Sequence, residues 1–125
     1  MECVITPRTF KTPWFAKTAR KSKIADEELC KAIKQVIEGK CDDLGGGVFK
    51  KRLNNNMHRS LVIAKGGRYW VFAFLFAKKD RANIDEHELR ILRELANTYK
   101  DKTDRDIQQE LDSEQLLEIC HGQEI

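Results

Sequence analysis

The segment Arg68 to Ala77, RYWVFAFLFA, constrains the fold more than any other stretch of this chain. It is apolar at odd and even positions alike, and successive side chains of a strand point to opposite faces. A strand that is apolar on both sides lies centrally in its sheet, with cover on at least part of each face. Just upstream, Ser60 to Lys65 reads as a second strand, and Lys65-Gly66-Gly67-Arg68 as a two-residue Gly-Gly hairpin joining the two. Val48 to Leu53 adds a third strand, and the three make an antiparallel meander.

Helices flank this meander. Thr12 is an N-cap with Pro13 at N1, where its missing N–H costs nothing, and Trp14, Phe15, Thr18 and Ala19 form an inner stripe. A second helix follows a tight connection. Asp26 is its expected cap, Leu29, Ala32, Ile33, Val36 and Ile37 its apolar face, and Gly39 its stop. The pair reads as a helical hairpin. Downstream, Asp85 and Glu88 form a capping box, Ile84 and Leu89 a hydrophobic staple, and Leu89, Leu92, Leu95, Ala96 and Tyr99 the buried stripe of a third helix. Thr9 to Lys11 ends a short first strand. TDRDIQQEL, from Thr103, predicts a short helix, and QLLEIC reads either as its continuation or, by preference, as a short added strand. The expected class is α+β: a small antiparallel sheet of three to four strands, an N-terminal helical hairpin and a C-terminal helix, with helices packed on one face.

The net charge of +3 conceals an asymmetry. Met1 to Ala82 carries +10, and Asn83 to Ile125 carries −7. We divide the chain into a body, 1–101, and an acidic C-terminal extension, 102–125. A basic body points to an anionic partner, most simply nucleic acid. No apolar run is long enough to span a membrane, and the start MECVITPRTFK lacks the pattern of a signal peptide, so the expected compartment is the cytoplasm. Cys3, Cys30, Cys41 and Cys120 are widely and irregularly spaced, supporting neither a zinc site nor a disulfide framework; all four are expected as plain thiols.

The stretch LGGGVFKKRLNNN, Leu44 to Asn56, places three glycines and three cations on a strand. Phe49 and Leu53 want the core, so Lys50 and Arg52 share the other face, about 6.6 Å apart, close to the step between phosphates of one nucleic-acid strand. Arg59 opens the next strand. Lys65 and Arg68 flank the Gly-Gly turn, and Lys78, Lys79 and Arg81 follow the apolar strand. Hairpin counting puts Arg59 and Lys78 on one face; the register across NNNMH decides whether Lys50 and Arg52 join them. Such a patch suits phosphodiester cleavage without a metal. The RNA 2′-OH attacks the neighbouring phosphate, which requires a base, an acid and cations for the charge that builds up. Crowded cations lower one another's pKa, so a Lys among arginines can carry the proton while Arg stays charged. His58 is the alternative proton carrier, against its plainer reading as a solvated loop residue.

Three ordered segments carry a family resemblance: TFKTPWFAKTARKSKIADEELCKAI, LGGGVFKKRL and FAFLFAKKDRANIDEHELRILRELA. They resemble the RelE/HigB-like toxins of type II toxin–antitoxin modules, within the RelE/ParE superfamily. The marks are a T-x-W-F start, an L-G-G-G-[VL]-x-K-x-R strand and an F-A-K-x-x-R-x-N-I segment. The resemblance implies a RelE-like toxin domain over 1–101, acting as a metal-independent endoribonuclease that cuts mRNA on the translating ribosome. It implies no cofactor, and a cognate antitoxin of helix-turn-helix, HigA-like type. Carried over by motif, Lys50, Arg52, Arg59 and Lys78 are the catalytic candidates, with Lys51, Lys65, Lys79 and Arg81 as RNA contacts. The Tyr that serves catalysis in some RelE proteins has no counterpart here, where the apolar strand ends in Phe76-Ala77-Lys78. The alternatives are a non-catalytic toxin that binds a protein such as DNA gyrase, and a non-toxic nucleic-acid-binding regulator.

Overall fold

The computed structural model describes residues 8–65 and 68–120. In chain order the elements are β1 (Arg8–Lys11), α1 (Pro13–Lys21), α2 (Asp26–Ile37), β2 (Asp42–Gly45), β3 (Val48–Leu53), β4 (His58–Lys65), β5 (Tyr69–Ala77), α3 (Glu86–Lys100), α4 (Asp104–Asp112) and β6 (Leu117–Ile119). The described strands form one sheet in the order β2-β3-β4-β5-β1-β6. β1 runs parallel to β5, with Phe10 opposite Val71; the other neighbours are antiparallel. The class is α+β as expected, but the sheet has six strands rather than three or four.

Helices cover both faces, not one. Phe72, Leu75 and Trp70 of β5 face α1 and α2, packing with Phe15, Leu29 and Ile33. Val71 and Phe76 face the other way, into a cluster with Val48, Leu61, Leu92, Ala96 and Ile107 from β3, β4, α3 and α4. A strand buried on both sides requires that second layer.

β2 escaped the sequence reading because DDLG is polar and mostly exposed, so only its backbone ladder makes it a strand. The glycines serve this ladder. Gly45 pairs with Val48, leaving Gly46 and Gly47 (φ 65° and 84°) as a two-residue turn that demands positive φ at both places. A Cβ on Gly46 would stand 2.8 Å from Cγ of Arg93, and one on Gly47 3.4 Å from Cβ of Ala96. The run is a tight turn pressed against α3, not a hinge.

Three helix starts test the cap readings. Thr12 accepts from the Phe15 amide at 3.1 Å. α2 starts differently from expectation: Ala25 is the cap and makes no side-chain bond. Asp26, one place further on, takes the Lys11 ammonium at 2.8 Å instead. In α3 the Asp85 carboxylate accepts from the Glu88 amide at 2.8 Å, while Glu88 accepts from the Asp85 amide at 3.0 Å. Asp85→Ala is expected to lower unfolding free energy by about 0.5–2 kcal/mol, measured by urea denaturation; an unchanged midpoint would show that the box contributes nothing. Trp14, assigned to the inner stripe of α1, is instead 49 % exposed. β1 accompanies β5 only as far as Phe72. Beyond that point the chain turns over the strand, and Trp14 stacks on Phe74.

The acidic segment is folded against the body. A second capping box at Thr103 starts α4, and Ile107, Leu116 and Ile119 are buried. β6 pairs with β1. Its acids serve nearby cations: Glu118 holds Arg8 at 2.8 Å, Glu110 holds Lys102 at 2.6 Å and Asp104 holds Arg68 at 3.3 Å. A disulfide between Cys30 of α2 and Cys120 just past β6 overturns the expectation of plain thiols at these two positions. The two lie 90 residues apart in sequence, too far for spacing to reveal a pair whose Cα atoms come to 5.6 Å. Cys41 is a free thiol whose pKa is pushed up by burial. Cys3 and the Gly66-Gly67 turn fall outside the described residues. No described helix is long and apolar enough to cross a membrane.

Candidate functional site

The register across NNNMH settles which cations share a face. Asn54, Asn55 and Asn56 take positive φ of 53°, 52° and 70°, a conformation that Asn tolerates better than most residues. They turn the chain in the four residues between β3 and β4, one fewer than expected, so that Leu53 pairs with His58 and Arg52 with Arg59. Glu28 of α2 accepts the Asn54 amide and anchors the turn. Lys50, Arg52 and Arg59 therefore share the α3 face of the sheet, with Lys50 opposite Leu61 of that face's core.

Arg52 and Arg59 are direct cross-strand partners. Like charges in that position repel. Among the described residues no acid forms a salt bridge with either one. Arg59 is 8 % exposed and gives its Nη1 to the carbonyls of Asn56 (2.9 Å) and His58 (3.2 Å). Those neutral acceptors orient the guanidinium and leave its charge uncompensated. Arg52 is exposed. Lys50 stands beside them with its side chain 17 % exposed, 3.7 Å from the Asp42 carboxylate and 3.5 Å from the Asn83 amide oxygen. Both contacts are long, so its ammonium is loosely held.

The other predicted contacts separate. Lys78 and Lys79 lie exposed in the turn after β5, where the Lys78 amide binds the Met57 carbonyl at 2.8 Å. That places them at the same end of the sheet as Arg59. Arg81 stacks over Phe76, which pairs with Arg59, but its fork is bound to Glu88. The guanidinium holds Glu88 below the usual carboxylate range, and the carboxylate in turn raises Arg81. Arg81 thus clamps the end of the sheet to the cap of α3. Lys51 points to the opposite face and donates to the Lys40 carbonyl at 3.1 Å. Its pKa is lowered, chiefly by burial. Lys65 ends β4 six residues beyond Arg59, about 20 Å along the strand, so it is not brought to the group. His58 lies on the α2 face, its ring 3.2 Å from the Asn54 amide nitrogen.

The sequence reading missed Asn83, the N of the F-A-K-x-x-R-x-N-I motif, which touches Lys50. It also missed the aromatic row at the edge of β5, whose only signal was its composition. Among the described residues no three His, Cys, Asp or Glu side chains cluster as a metal site requires.

A family model described as the RelE toxin of the RelE / RelB toxin–antitoxin system matches residues 7–119. The match takes in every described strand and helix and stops one residue short of the disulfide cysteine Cys120. No curated protein and no solved structure matches the chain.

Proposed function

This chain belongs to the RelE toxin family of toxin–antitoxin systems, and from that premise we propose that it is a metal-independent endoribonuclease that cuts mRNA on the translating ribosome and so arrests growth. The observation that carries the reading is the Arg52–Arg59 pair: two arginines face each other across a ladder, and no acid among the described residues forms a salt bridge with either. The arrangement is unfavourable alone and favourable with a phosphate in the gap, where each fork can take two oxygens. The same two forks meet the charge that grows on the phosphorus as the 2′-OH attacks.

Lys50, the amine beside them, is the proposed proton carrier, placed to take the proton from the attacking 2′-OH or to give one to the leaving 5′-oxygen, while Arg52 and Arg59 hold the phosphate. Lys78 and Lys79 extend the positive surface along the RNA backbone. The cognate antitoxin, of helix-turn-helix, HigA-like type, silences the toxin by covering this face, and the proposed setting is the cytoplasm.

Induced expression in a bacterial host without antitoxin tests the reading, with growth and mRNA 5′ ends followed together. The expected result is arrest with new ends at fixed positions inside translated codons. Arrest without new ends would transfer the target to a protein such as DNA gyrase, and normal growth would point to a non-toxic regulator.

A further inference from the structure

The cation group continues into an aromatic row that the phosphate chemistry does not use. Arg59 is opposite Phe76 in the ladder, and Phe74 lies two residues further along β5, ring centroids 6.1 Å apart. Trp14 stacks on Phe74 at 5.0 Å with an interplanar angle of 15°. Trp14 is 49 % exposed, an unusual place for the largest apolar side chain. Beside Phe74 a hollow of about 220 Å³ is walled by Ala73, Ile91, Leu92 and Leu95 and by Glu88, whose carboxylate Arg81 holds, and its surface is almost wholly apolar. Arg81 caps the inner end of the row, 5.2 Å above Phe76.

We propose that Trp14 and Phe74 form a nucleobase-stacking subsite for the RNA strand whose phosphate lies between Arg52 and Arg59. The inference rests on the ribonuclease reading above and names how the same site holds its substrate. Strands are spaced about 4.8 Å apart and residues rise about 3.3 Å, so Phe74 stands roughly one to two nucleotide steps from the arginine pair. Single strands are held by this combination: a positive track for the backbone, and aromatic faces on which any base can stack. The continuity of the row with the Arg52–Arg59 pair fits RNA, which offers a backbone charge at each step and a flat base beside it.

The test uses the full chain without antitoxin and short 2′-O-methyl oligoadenylate, whose blocked 2′-oxygen prevents cleavage, beside an abasic oligonucleotide of the same length. Intrinsic fluorescence reports the contact, because Trp14 and Trp70 are the two tryptophans and Trp70 is only 8 % exposed. The expected result is quenching of Trp14 and binding of the adenylate about tenfold tighter than the abasic strand, the scale of one base–aromatic stack. Trp14→Ala should reduce adenylate affinity to the abasic level and leave abasic binding unchanged, and Trp14→Phe should keep most of the preference. Arg52→Ala should weaken both strands alike. Equal affinity of the wild type for the two strands would overturn the stacking site and leave the cation reading standing. No binding of either strand would overturn both. Loss of antitoxin binding in Trp14→Ala, with unchanged RNA affinity, would assign the row to a protein partner and overturn the proposal.

Discussion

Replacing Lys50 and Arg52 together by alanine is expected to leave a folded protein that no longer arrests growth. Arg52 is exposed and Lys50 half-buried, neither belongs to the two apolar clusters, and the strand itself is held by backbone ladders to β2 and β4. The fold should therefore survive, with a circular dichroism spectrum and melting cooperativity close to those of the parent. The chemistry should not survive. One fork of the phosphate clamp and the adjacent proton carrier disappear together, and removal of a single preorganised stabiliser commonly costs a hundredfold or more in rate. Growth on induction and single-turnover cleavage in a purified translation system measure the effect; a double variant as toxic as the parent contradicts the site. Lys51→Ala is the matched control, since Lys51 is the neighbouring cation on the opposite face. Arg59→Ala is a poorer probe. Its guanidinium also ties down the Asn56 and His58 carbonyls, so activity and loop geometry would change together.

The second large effect concerns stability. The Cys30–Cys120 bond closes a loop of 90 residues that holds five of the six described strands, and it secures the three-residue edge strand β6. A cross-link over a span of that size stabilises by about 2–5 kcal/mol, mainly by restricting the unfolded chain. Cys30→Ser should lower the unfolding free energy by that amount. A thiol reductant should bring the parent down to the level of the variant and leave the variant unmoved. Without the bond, β6 retains its ladder to β1 and the Arg8–Glu118 pair, so hydrogen exchange should quicken first in residues 117–119. In a reducing compartment the protein would work at this lower stability. Equal denaturation midpoints with and without reductant would show that the bond contributes nothing.

The start of α3 was legible because its capping box is local, and of the expected stripe Leu92, Ala96 and Tyr99 are buried while Leu89 and Leu95 are half-buried. The centrality of β5 was legible for the same reason, since nine consecutive apolar positions leave no solvent face. The second helical layer has no such local mark, because α3 and α4 reach the sheet only through contacts distant in sequence. β2 could not be read, because DDLG has no side-chain signature and exists as a strand only through pairing.

Register was the main obstacle at the site. Lys65 pairs with Tyr69 rather than with Arg68, a shift of one residue from the expected register; Ala73 then bulges out between Leu61–Phe74 and Val62–Phe72. The two one-residue shifts cancel in parity. The alternation that joins Arg59 and Phe76 is therefore that of simple counting, while the partner of each residue differs. Arg52 and Arg59 were both singled out, yet only the left-handed asparagines bring them opposite one another. Arg81 was read as a free cation because its partner, Glu88, had already been given a role in the cap. One carboxylate does both jobs.

The most direct test of the central claim, that these cations run 2′-OH chemistry on RNA, is the identity of the new ends. A reporter mRNA is cleaved in a purified translation system, and then again with a 2′-O-methyl group at the nucleotide upstream of the mapped cut. The account predicts a 2′,3′-cyclic phosphate on the upstream fragment, a 5′-hydroxyl on the downstream one, and no cleavage at the methylated position. Fragments that end in a 3′-hydroxyl and a 5′-phosphate, or cutting that continues past the methyl group, would contradict it.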